Sequence, residues 1–126
     1  MYIDLITKIK NAQHARKESL KVPYSKNKEA IVDILTKNGY LDAFEKKGRG
    51  FKKFLEIKLK YYNGEGAIHG VKFLSKPSRH LYYQVKDIKP VKKGYGILLI
   101  STSKGIMDGK TAKKKNLGGE ALFEIW

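Results

Sequence analysis

Cysteine is absent from this 126-residue chain. That excludes disulfides and any cysteine-ligated zinc, and it suits a reducing compartment. No apolar run approaches the length of a membrane span, and the N-terminus lacks the pattern of a signal peptide. The chain is therefore expected to be soluble and cytoplasmic, with no membrane partner. Neither internal repeats nor low-complexity tracts occur. Arginine is scarce: Arg16, Arg49 and Arg79 are the only three among 27 basic residues. Acidic residues number 12, which leaves a formal net charge of +15.

An excess of that size repels itself and works against compaction. A polyanionic partner accounts for it, because each neutralised phosphate also releases condensed counterions. An anionic membrane surface is the rival, but it calls for a basic amphipathic segment with a broad apolar face and no other role. Lysine is a point charge without the planar fork of arginine. Most contacts are thus expected to follow a nucleic-acid backbone rather than read base edges. The remaining composition, 41% hydrophobic and 31% charged, is that of a folded protein.

At this length the chain is one domain or two small packed lobes, and lobes of about sixty residues would each be marginal alone. Residues 3–16 read as a helix with Tyr2, Leu5, Ile6, Ile9 and Ala12 as its apolar stripe. Thr7, Lys10, Asn11 and His14, joined by Lys17, fall on another face, which is either a solvated side or a basic rail. A strand at 19–22 precedes a second helix, 26–38, with Ser25 as its N-cap and Gly39 just past its end. Strands follow at 41–46 and 51–61. The second of these alternates Leu55, Ile57, Leu59 and Tyr61 against Lys52, Glu56, Lys58 and Lys60. Asn63-Gly64-Glu65-Gly66 is the linker candidate. Beyond it, short strands are expected at 68–74, 81–85, 97–102 and 121–126, with a short helix at 109–115 capped by Asp108. The fold class is α+β. An N-terminal α-β-α-β-β lobe spans residues 1–62, and a C-terminal, mainly β lobe with a short helix spans residues 67–126.

The chemistry concentrates near the C-terminus. An apolar run, Ile97-Leu98-Leu99-Ile100, leads into Ser101-Thr102-Ser103-Lys104-Gly105, and Lys113-Lys114-Lys115 leads into Asn116-Leu117-Gly118-Gly119-Glu120. Small hydroxyls, lysine and glycine-exposed amides are groups that contact phosphate and sugar. Any one of these residues is also an ordinary turn residue; their concentration in a basic chain is what singles them out. Of Tyr82 and Tyr83, alternation sends one inward and one outward, and the outward ring could stack on a ribose or an unstacked base. Gly105 to Gly109-Lys110-Thr111 superficially resembles a phosphate loop, but three residues separate its glycines where four are needed. His14, His69 and His80 are scattered, which supports neither a metal site nor a catalytic triad. No cofactor or enzyme activity is expected.

Taken together these segments resemble bacterial small-subunit ribosomal protein eight. Ser101-Thr102-Ser103-Lys104-Gly105-Ile106-Met107 followed by Asn116-Leu117-Gly118-Gly119-Glu120 is similar to that family's C-terminal signature. Lys8-Ile9-Lys10-Asn11-Ala12 resembles its helix-one motif. Val22-Pro23, Ser25-Lys26 and Lys28-Glu29-Ala30-Ile31 resemble its entry into helix two, and Gly39-Tyr40, Ser75-Lys76-Pro77 and Tyr82 also match. The chain departs from the family at Asp108-Gly109, where Thr-Asp is usual, and in carrying lysine for many arginines, Lys10 and Lys110 among them.

The resemblance implies a primary binder of small-subunit ribosomal RNA, seated on the central domain and organising the platform. It implies two lobes with RNA contacts on both. Ser101, Thr102, Ser103, Lys104, Gly105, Gly118, Gly119 and Glu120, with Tyr82 nearby, would supply the main recognition of an irregular stem. Lys8, Lys10 and Asn11 would touch a second RNA segment. Small-subunit proteins five and twelve would be neighbours, and a look-alike stem in the operon messenger RNA would permit autoregulation. Glu120 is expected to orient a lysine or to accept a hydrogen bond from a base amine or a backbone amide.

Overall fold

The computed structural model describes residues 2–126, apart from the Lys93 side chain. The fold is α+β, in two compact units: one ends at Ile68 and the other runs His69–Trp126.

In the first unit the order is α1 (Tyr2–His14), β1 (Ser19–Pro23), α2 (Lys26–Lys37), β2 (Leu41–Lys47) and β3 (Phe54–Leu59). A small hairpin, β4 (Tyr61–Tyr62) and β5 (Glu65–Gly66), follows. Helix α1 buries Leu5, Ile6, Ile9 and Ala12, four of the five residues of its expected stripe; Tyr2 is half-buried. Ser25 caps α2 as its side chain accepts the Lys28 amide at 3.1 Å. The helix ends with Gly39 at φ 83° and the Tyr40 amide donating to the Leu35 carbonyl at 2.9 Å. The sheet order is β1-β3-β2, both pairs antiparallel. Central β3 buries Leu55, Ile57 and Leu59, as alternation requires. It is shorter than the sequence suggests, because residues 50–52 form a 3-10 turn. Residues 63–66, the linker candidate, lie in the β4–β5 hairpin, and the division between units falls after Ile68.

The second unit contains β6 (Val71–Phe73), β7 (Tyr82–Tyr83), β8 (Ile97–Thr102), β9 (Gly105–Asp108), α3 (Gly109–Lys114) and β10 (Gly119–Ile125). Strand β10 is the hub. Along one edge it pairs with β8, and along the other with β6 at one end and β7 at the opposite end, all antiparallel. Beneath the sheet, Leu98, Ile100, Met107, Ala112 and Ala121 form one apolar cluster with Ile88 and Val91. Strand β9 is not foreseen by the sequence, and β10 starts two residues earlier than expected. Helix α3 begins where predicted: Asp108 caps it by accepting the Thr111 amide at 2.7 Å.

Candidate nucleic-acid interface

Two devices bring the C-terminal segments together. The first is the turn between β8 and β9. The Thr102 hydroxyl donates to the Gly105 carbonyl at 2.8 Å and accepts from the Lys104 amide at 3.1 Å. Its one donor and one of its two lone pairs are thereby committed to the turn, whose exposed apex is Ser103-Lys104. Ser101 and Ser103 differ from it: among the described residues neither hydroxyl has a protein partner.

The second device is the arrival of β10. Helix α3 closes with Asn116 at φ 56° and the Leu117 amide donating to the Ala112 carbonyl at 2.9 Å. This is the left-handed cap that asparagine fills when glycine does not, with Leu117 packed on the core cluster as the hydrophobic partner. Gly118 and Gly119 then pass between two strands. A Cβ on Gly118 would stand 2.6 Å from the Tyr83 carbonyl oxygen, and one on Gly119 only 2.1 Å from that of Ser101. The glycine pair thus lets three strands close at one end of the sheet.

Register then decides what faces outward. Glu120 lies opposite Ser101 on β8 and opposite Tyr82 on β7, so the three side chains share one row on one face. Tyr82 is 69% exposed there, whereas Tyr83 turns under and packs on the core cluster. Glu120 is held by His80, whose Nδ1 lies 2.6 Å from its carboxylate oxygen. Its protein partner is therefore an imidazole, not the lysine or backbone amide expected. With Nδ1 on the carboxylate, the Nε2 edge of His80 is left for another group.

Ser75 reads from the sequence as the start of a Ser75-Lys76-Pro77-Ser78 turn and as part of the family match, yet it is 1% exposed and holds this sheet end together. Its hydroxyl donates to the Ala121 carbonyl at 2.6 Å and accepts from the Leu81 amide at 2.9 Å, while the Ala121 amide donates to the Leu81 carbonyl at 2.8 Å. This clamp sets β7, and with it Tyr82, against β10. Removing it takes the partner from the buried Ala121 carbonyl and the part-buried Leu81 amide, at about 1–3 kcal/mol for a buried group and less for one that water can reach. Ser75→Ala is expected to destabilise the protein by about 2 kcal/mol or more in urea unfolding, and an unchanged midpoint would refute the clamp.

The helix-one residues fall in the first unit. Lys8 and Asn11 line a shallow recess with Ala12, Ala15, Lys17 and Leu20. Lys10 does not join them, because two residues along a helix turn through about 200°. Thr7 is engaged within the helix, donating to the Ile3 carbonyl at 2.8 Å. The phosphate-loop likeness ends here as well: residues from Gly105 to Asp108 are strand β9, with no loop to wrap a phosphate.

This open sheet end thus carries two free hydroxyls, an exposed aromatic ring and Lys104, the kinds of group that contact phosphate, sugar and base. The profile of the family described as Ribosomal protein S8 matches residues 2–126. The chain is 43% identical to small ribosomal subunit protein uS8 of Mycoplasmopsis agalactiae, over 98% of this chain and 94% of that one. Identity is 39% to its counterpart in Zymomonas mobilis and 40% to that in Ruthia magnifica, each again over 98% of this chain and 94% of the relative. The chain belongs to the ribosomal protein S8 family.

Proposed function

We propose that this chain is a structural, non-enzymatic component of the small ribosomal subunit, acting in the cytoplasm as a primary binder of that subunit's RNA. In this reading the end of the second unit's sheet enters the shallow minor groove of an irregular stem in the central domain. A regular A-form major groove is too narrow for side chains, whereas the minor groove offers 2′-hydroxyls and base edges. Short side chains let the backbone come close. The observation that carries the reading is the convergence of Tyr82, Glu120 and Ser101 in one row, beside the exposed Ser103-Lys104 apex.

Within that surface the roles divide. Ser101 and Ser103 donate to RNA, Lys104 neutralises phosphate, and Tyr82 stacks. Thr102, Gly105, Gly118 and Gly119 shape the site, and Glu120 with His80 accepts from a base amine or a 2′-hydroxyl. Lys8 and Asn11 touch a second RNA segment, with Lys10, about 100° round the helix from Asn11, reaching it from outside their recess. Binding of this kind organises the platform, with small-subunit proteins five and twelve as neighbours, and a look-alike stem in the operon messenger RNA would give autoregulation.

Ser103→Ala tests the shape-specific part. Loss of one hydrogen bond to a charged or polar RNA group is expected to weaken binding to the irregular stem roughly three- to tenfold. Binding to a regular duplex should change less; equal loss on both would contradict the proposal. Sedimentation separates a ribosomal component from a free messenger-RNA repressor, since only the former travels with small subunits.

A further inference from the structure

The hairpin joining β2 and β3 carries a feature that the interface above does not use. Phe51 is fully exposed, the most exposed large hydrophobic side chain among the described residues. It stands at the tip with Arg49, Lys52 and Lys53, all exposed. The nearest other charges are already committed. Lys47 bridges Glu56 at 2.9 Å and Glu45 at 3.6 Å, and the Lys46 ammonium lies 4.5 Å from the centre of the Tyr24 ring. The Lys47 ammonium, through its hydrogen bond, holds the Glu56 carboxyl below the usual carboxylate range. Arg49, Lys52 and Lys53 have no such side-chain partner among the described residues.

The tip is also built rather than slack. The Lys52 amide donates to the Arg49 carbonyl at 3.1 Å, and the Lys53 carbonyl accepts the Tyr24 amide at 3.1 Å. Gly48, at φ 93°, brings its backbone so close that a Cβ would stand 2.3 Å from the Lys52 carbonyl oxygen. An aromatic ring held outward by a closed turn, among three unpaired cations, pairs a stacking platform with counter-charges for the flanking phosphates. An aliphatic partner would need no ring, and a protein pocket would not call for three cations around it.

We propose that this tip is a further RNA contact, in which Phe51 stacks on an unpaired base while Arg49, Lys52 and Lys53 hold the adjoining phosphates. The inference rests on the ribosomal-RNA reading above and adds to it a single-stranded or bulged element as ligand. The test is equilibrium binding of small-subunit ribosomal RNA to the full chain and to Phe51→Ala, Phe51→Tyr, Phe51→Leu and Ser103→Ala. Because Phe51 is in water, these changes leave the fold intact. Phe51→Ala should lose roughly tenfold in affinity, Phe51→Tyr should stay within about twofold, and Phe51→Leu should behave like alanine, since it keeps apolar area without a π face.

Wild-type affinity in Phe51→Ala, with Ser103→Ala weakened, would overturn this inference and leave the main reading standing. No RNA binding by the wild type would overturn both. Full rescue by leucine, or Phe51-dependent binding to anionic phosphatidylglycerol vesicles with unchanged RNA affinity, would replace stacking with an apolar partner. The absence of native cysteine allows a direct check. A photo-crosslinker on Lys52→Cys should attach to an unpaired nucleotide, and attachment only within regular duplex would contradict the proposal.

Discussion

Gly119→Val is expected to destabilise the second unit by about 3 kcal/mol or more and to abolish RNA binding with it. The reason is contact distance. The added Cβ would stand 2.1 Å from the Ser101 carbonyl oxygen and 3.1 Å from the Thr102 Cα. Both are backbone atoms, so no rotamer change relieves the clash, and β8 and β10 must part at the point where β7 also joins. Overpacking in a core costs about 1–3 kcal/mol when side chains can adjust, and here they are not the obstacle. A domain holds only about 0.05–0.15 kcal/mol per residue in reserve. Urea unfolding measures the loss, and a valine variant with the wild-type midpoint would mean that the strands do not meet as described. Gly118→Ala should act in the same direction, against the Tyr83 carbonyl.

Lys104→Glu is the largest expected effect that leaves the fold alone. Lys104 stands exposed at the apex of the β8–β9 turn, and its amide, not its side chain, is what the Thr102 hydroxyl holds. Reversal therefore changes the charge facing RNA by two units without disturbing the turn. Affinity for the central-domain RNA should fall roughly ten- to hundredfold at low salt, and the log–log salt slope should become shallower by about 1. Lys104→Gln should reproduce the change in slope with a smaller loss of affinity, because it removes a cation without adding repulsion. Unchanged affinity and slope in both would place this lysine away from phosphate.

Much of this fold is legible because local chemistry agrees with it. Ser25 and Asp108 cap the helices that follow them, Gly39 ends α2, and the alternation of Leu55, Ile57 and Leu59 faces the core. The misses arise where tertiary contact overrides the local signal. Glycines at both ends of residues 105–109 read as a loop, yet Met107 is buried in the core cluster and draws the segment into β9. Gly118-Gly119 reads as a source of exposed amides, whereas its lack of side chains serves the packing of neighbouring strands. Ser75, within a Ser-Lys-Pro-Ser turn, gives no local sign that its hydroxyl will be buried. Phe51 reads as the start of a long strand, and only the 3-10 turn at residues 50–52 reveals it as a tip.

The most direct test of the central claim is an NMR titration of the isotope-labelled protein with a central-domain RNA fragment that contains the irregular stem. The largest amide shifts are predicted at residues 101–105 and 118–120 and at Tyr82, with smaller ones near Lys8 and Asn11. Silence at the end of β8 and the start of β10, with the main shifts on β6 or across β1 and β3, would contradict the account.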